Sequence, residues 1–134
     1  MLKLIPGLNG EGKTKSIISQ VNKASVEETG AVVCIEHGNT LTFDIPYSVR
    51  LIQLEKTYST DYFKGFISGL HSGNYDITHV FVDGIQKMLK GSTDHEIEEF
   101  FEWCNSYGEA EEIRFTMTIN SDADSASSAL KRFF

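Results

Sequence analysis

The sequence predicts a three-layer α/β domain, a mostly parallel sheet with helices on both faces, and three observations carry that prediction. Short β-branched runs alternate with longer segments of helical period along the whole chain, the pattern of repeated strand–helix units. Ala31-Val32-Val33-Cys34-Ile35-Glu36 is a continuous apolar run rather than an alternating one, the mark of a strand covered on both faces. The length, 134 residues, with 40% hydrophobic and 23% charged residues, suits one compact domain spanning 1–134 and excludes a disordered chain or a multidomain machine.

Each element has its own local reason. Leu2 to Pro6 reads as a strand that runs into a glycine-rich turn, and Lys13 to Glu28 reads as a helix with Ile17, Ile18, Val21 and Ala24 on one side. After the Ala31–Glu36 strand, Gly38-Asn39 reads as a turn, with Thr40 to Asp44 as a hairpin return strand. Val49 to Leu54 reads as a strand near an edge, because Arg50 and Gln53 interrupt it. Asp61 to Ser72 has helical period, with Phe63, Phe66, Ile67 and Leu70 among its apolar positions, and Gly73-Asn74 ends it. Gly65, Gly69 and Gly73 recur every four residues there. Each interior glycine costs about 1 kcal/mol against alanine, so close packing against a neighbour is the expected compensation. Ile77 to Val82 is a strand closing in Asp83-Gly84, and Asp94 to Tyr107 is a strongly amphipathic helix. Ile113 to Ile119 is the last strand, and Ala123 to Phe134 reads as a short terminal helix that packs onto the sheet.

Charge narrows the partners. The formal net charge is −7, which argues against direct nucleic-acid binding. Eight acids and no Lys or Arg lie between Ser92 and Ile113, so the rest of the chain carries a formal +1. Most of the protein can therefore hold an anion without a large repulsive field. The acids of that segment lie mostly opposite the Ile97, Phe100 and Cys104 stripe and read as a solvated helix face. No apolar stretch approaches the roughly 20 residues of a membrane span, and no basic segment followed by an apolar run opens the chain. Cys34 and Cys104 sit in apolar periodic segments and read as reduced core thiols of a cytoplasmic protein. His37, His71, His79 and His95 have no metal-ligand spacing.

Gly7-Leu8-Asn9-Gly10-Glu11-Gly12-Lys13-Thr14 fits G-x-x-x-x-G-K-[ST] at every fixed position, directly after a strand and directly opening a helix. Glycines let the backbone curl into a nest whose N–H groups face phosphate oxygens. Lys13 brings a mobile charge to the β- and γ-phosphates and Thr14 a hydroxyl to Mg²⁺, while the helix directs its positive end at the same anion. Asn9, Gly10, Glu11, Gly12, Lys13, Thr14 and Lys15 are thus the candidate nucleotide-binding residues. Ile77 to Asp83 is a strand ending in a carboxylate, as in a Walker B strand, which makes Asp83 a second candidate for the metal beside Thr14.

Through both motifs and the order of elements the chain resembles the P-loop NTPase superfamily. More narrowly it is similar to small stand-alone bacterial P-loop proteins often labelled twitching-motility ATPases. That likeness also rests on Ile35-Glu36-His37-Gly38, Leu41 to Ile45, Phe66 through Gly84, and Phe115 to Ile119. The resemblance implies a P-loop core, ATP and Mg²⁺ as ligands, and nucleotide hydrolysis as the activity class.

Details separate the readings within that class. The guanine-reading [NT]-K-x-D stretch is replaced by Ser121-Asp122-Ala123-Asp124, and D-x-x-G by Asp83-Gly84-Ile85-Gln86, which favours ATP over GTP. Gly84 stands where many P-loop ATPases carry a glutamate that polarises water, and Glu36, closing a neighbouring strand, is the substitute candidate for catalysis beside Lys13. Asn120 is a candidate γ-phosphate sensor. Arg50, Arg114 and Arg132 are the only arginines and none has a finger context, so a protein partner or a second copy is expected to supply one. A slow Mg-ATPase leads these readings. A non-hydrolysing nucleotide-sensing module is the rival, and a small phosphotransferase is a third reading that the shortage of arginines disfavours.

Overall fold

The computed structural model describes residues 1–8 and 12–134. Strands β1 (Leu2–Gly7), β2 (Ala31–His37), β3 (Arg50–Leu54), β4 (Ile77–Asp83) and β5 (Arg114–Asn120) form one sheet in the order β1-β5-β4-β2-β3. Every pairing is parallel. Helix α1 (Lys13–Glu27) lies between β1 and β2 in sequence, α2 (Thr60–Ser72) between β3 and β4, and α3 (Ile85–Met88) with α4 (Asp94–Glu111) between β4 and β5. A single turn, α5 (Ser128–Lys131), follows β5. The expected α/β class holds, and the sheet is wholly parallel.

The alternation of side chains along the strands builds two cores, one on each face. Val32 and Cys34 of β2, with Phe81 of β4, meet Ile17, Val21 and Ala24 of α1. Val33 and Ile35, with Val80 and Val82, meet Phe63 and Ile67 of α2 and Phe100, Phe101 and Cys104 of α4. Burial on both faces explains why β2 reads as one unbroken apolar run. Both cysteines are free and buried, and burial pushes the Cys34 thiol up to about 12, so it is unreactive at neutral pH. No helix among the described residues is long and apolar enough to cross a membrane.

β1 is an edge strand whose outward N–H donors are all used or absent. Leu2 donates its N–H to Asn105 Oδ1 (3.0 Å), Leu4 donates to the Phe133 carbonyl (2.7 Å), and Pro6 has no N–H to leave unpaired. The proline thus sits where a parallel sheet tolerates it.

Three expectations are corrected. Thr40 to Asp44 is not a return strand, because the Glu36 carboxylate takes the N–H groups of Thr40 and Leu41 (2.7 and 3.2 Å) and folds the segment back over α1. Leu41 and Ile45 then pack against that helix while Phe43 stays exposed. The terminal helix shortens to one turn, since the Asp122 carboxylate accepts from the Asp124 N–H and the Ser125 hydroxyl and holds a turn there. Gly65 and Gly69 meet no close neighbour: a Cβ built on either has nothing within 4 Å. Their cost to α2 is therefore uncompensated, and Gly65→Ala and Gly69→Ala are each expected to stabilise the protein by about 0.5–1 kcal/mol in chemical denaturation.

Candidate functional site

The carboxyl ends of the strands follow the sheet order, and each brings one group to a common rim. Gly7 of β1 is level with Asn120 of β5, Glu36 of β2 with Asp83 of β4, and His37 with Leu54 of β3. Helix α1 packs on one face while α2 and α4 pack on the other, so the chain leaves β1 and β4 toward opposite sides. A crevice at the carboxyl ends of such strands is the usual ligand site of an open α/β sheet. Here the crevice is a cleft of about 640 Å³.

Its wall on the β1 side comes from the start of α1. Gly12 has φ +80, a left-handed conformation suited to glycine, and serves as the helix N-cap with no side-chain hydrogen bond. The first turn of α1 carries no acid, so its positive end is not neutralised from within. Lys13 reaches across the rim to β5, donating from Nζ to the Ile119 carbonyl (3.2 Å) and to Asn120 Oδ1 (3.4 Å). Thr14 Oγ1 donates to Asp83 Oδ2 at 3.4 Å, across 69 residues of sequence.

Asp83 is aimed by β5. Its other oxygen, Oδ1, accepts the Thr118 hydroxyl at 2.7 Å, and Thr118 Oγ1 in turn accepts the Gly84 N–H at 3.2 Å. Gly84 has φ +89, where an L side chain is strained, and a Cβ there would stand 3.2 Å from the His37 Cβ, so a glutamate at this position would also have to push His37 by a few tenths of an ångström. Gln86 of α3 accepts the Asn120 N–H and ties that turn onto β5.

The sequence candidates divide as follows. Gly12, Lys13, Thr14, Lys15, Asp83 and Asn120 all line this one cleft. Asn9, Gly10 and Glu11 lie outside the described residues. Glu36 is close in register but is used elsewhere. It is 2% exposed, and it accepts from Thr40 N and Oγ1, Leu41 N and Gln53 Nε2. Burial alone would raise its carboxyl, but these donors outweigh burial and hold it below the ordinary value. Glu36 is therefore an anchor of the loop, neither a solvated strand end nor a base facing the cleft. Of the arginines, Arg114 pairs with Glu28 and Arg132 with Glu102 (2.8 Å), and none of the three lines the cleft.

His37, Gln86, Lys87, Lys90 and Thr118 also line the cleft, and none of them is a candidate site residue in the sequence. The only local signal was two lysines three residues apart just past the Asp83-Gly84 turn. A second polar centre lies under α1, away from the cleft lining. The His79 ring spans Glu28 (Nδ1 to Oε2, 2.7 Å) and Thr116 (Nε2 to Oγ1, 2.8 Å) and stacks on Phe81. A neutral ring with its proton on Nδ1 satisfies both contacts, and burial, as the leading cause, pushes His79 below its ordinary value.

The donor set fits a hard divalent cation. Thr14 and Asp83 offer two oxygens side by side, and no group of three His, Cys, Asp or Glu side chains gathers among the described residues. That set suits Mg²⁺, which usually takes one or two protein oxygens and completes its shell with water and phosphate. No protein-family model matches this chain, and no curated protein matches it significantly.

Proposed function

We propose that this chain is a P-loop protein that binds Mg-ATP and hydrolyses it slowly, with a protein partner or a second copy raising the rate. The carrying observation is the meeting of Thr14 Oγ1 and Asp83 Oδ2 at 3.4 Å, beside Lys13, at the carboxyl ends of parallel strands. In this reading Lys13 holds the β- and γ-phosphates, and Thr14 and Asp83 hold the metal, which lowers the charge repulsion within the polyphosphate. Thr118 keeps the Asp83 carboxylate turned toward Thr14. Asn120, held near Lys13, is positioned to sense the terminal phosphate.

One observation favours a second reading, a nucleotide-sensing module without turnover. Among the described residues Asp83 is the only carboxylate lining the cleft, since Glu36 is engaged by its loop and Gly84 follows Asp83. A base for the attacking water then has to come from outside the described lining. A magnesium-dependent titration with ATP and with GTP, with phosphate release followed in the same sample, tests both readings. The expected result is ATP binding that weakens when Mg²⁺ is chelated, with slow release. Binding without release above background selects the sensor, and no magnesium-dependent nucleotide binding overturns the proposal.

A further inference from the structure

We propose that the cleft has a second phosphate subsite, formed by Lys87, Lys90 and His37, for a phosphate carried by a molecule other than the nucleotide. The proposal rests on the P-loop reading for the placement of the nucleotide on the β1 side. Along the rim the order of lining groups is Lys13 and Thr14 beside β1, Asn120 on β5, Asp83 and Gly84 on β4, then His37 on β2. Lys87 and Lys90 follow Asp83 directly and line the same cleft. A polyphosphate that runs from the start of α1 to a metal at Thr14 and Asp83 spends its charge on Lys13 and the metal. The two lysines and His37 line the rest of the same cleft.

The charge arrangement asks for an anion. Lys87 and Lys90 are both exposed, and neither has a carboxylate within ion-pair distance among the described residues. Four lysines, Lys13, Lys15, Lys87 and Lys90, and one carboxylate, Asp83, line the described part of the cleft, which therefore carries an excess of positive charge in a chain with 19 acids. The His37 ring adds a nitrogen donor at the end of β2, held against Gly84. This wall has no described hydrophobic side chain in it, so the ligand it fits is a compact anion rather than a base or an acyl chain. A tetrahedral phosphate, which accepts from several donors at once, matches that chemistry.

The test loads the protein with Mg²⁺ and a non-hydrolysable ATP analogue, then titrates inorganic phosphate in one arm and methyl phosphate in the other by calorimetry. One further phosphate per chain is expected, and the tighter arm tells free phosphate from a phosphomonoester. In the double variant Lys87→Ala/Lys90→Ala the ratio of phosphate affinity to analogue affinity is expected to fall at least tenfold. Both sites are exposed, so folding is retained, and circular dichroism checks it. An equal loss of both affinities means the lysines serve the nucleotide itself and overturns the proposal, as does loaded protein that takes up no phosphate. If the analogue fails to bind but phosphate still binds in a Lys87- and Lys90-dependent way, the P-loop reading falls and the phosphate subsite stands.

Discussion

Lys13→Ala is expected to weaken Mg-ATP binding by roughly 100-fold, about 2.7 kcal/mol. The ammonium sits half-buried at the end of β5, within reach of Asn120, and in the P-loop reading it faces the β- and γ-phosphates. Lys13→Arg keeps the charge but substitutes a planar fork for a compact ammonium, so an intermediate loss is expected. The fold is expected to survive, because Lys13 belongs to the cleft lining and to neither core. A neutral carbonyl and an amide oxygen are the described acceptors of Lys13, and a typical hydrogen bond of this kind contributes only about 1 kcal/mol net. Isothermal titration of wild type and variant, with thermal melts alongside, checks both halves. Identical nucleotide affinity in the two proteins would sink the P-loop reading.

Glu36→Ala should act in the opposite way, costing about 1–3 kcal/mol of stability through the loop rather than through chemistry. Four donor groups lose their acceptor, and one of them, the Leu41 N–H, is buried. Glu36→Gln keeps one acceptor oxygen but turns an amide donor toward groups that are themselves donors, so it too should destabilise. Urea denaturation should show a lowered midpoint with an unchanged slope. A catalytic glutamate would give the reverse pattern, with stability kept and phosphate release lost in Glu36→Gln.

The same anchors set a pH dependence with a definite sign. Glu36 and Glu28 are held below the ordinary carboxylate value, and His79 below the ordinary imidazole value. In all three cases the unfolded chain binds the extra proton first, so stability rises with pH across each window. The His79 contribution is complete above about 6.5 and is lost as pH falls from there toward its lower folded value. The carboxylate contributions are complete above about 4.5 and are lost below it. Denaturation midpoints should therefore decline in two stages on acidification. The gap between wild type and Glu36→Ala should close only in the second stage.

How much of this was legible depends on whether the signal was local. The Ala31–Glu36 run announces a doubly covered strand because its neighbours on both faces are hydrophobic, and the phosphate-loop motif names Gly12, Lys13 and Thr14 because it is contiguous. The segment after Glu36 misleads, since Leu41, Phe43 and Ile45 alternate like a strand while the structure buries the first and third and exposes the second. What decides it is a carboxylate four and five residues earlier capturing the backbone donors of Thr40 and Leu41. Helix α3 has four residues, too few to show a period. Lys87, Lys90 and His37 become neighbours only because β4 and β2 are paired in the sheet, and strand order is not written in any one stretch of sequence.

The occupied donors along β1 also limit how copies of this chain can join. Leu2 and Leu4 have given their outward donors to Asn105 and Phe133, and Pro6 has none. A strand arriving there finds no donor to pair with, whereas β3 ends the sheet on the other side. Strand pairing that needs donors from both partners is thus turned away from β1 and left to β3, where β3 against β3 would close a pair around a twofold axis. Pro6 in this sense denies one edge of the sheet to an incoming strand's acceptors, at the end of β1 where the cleft opens.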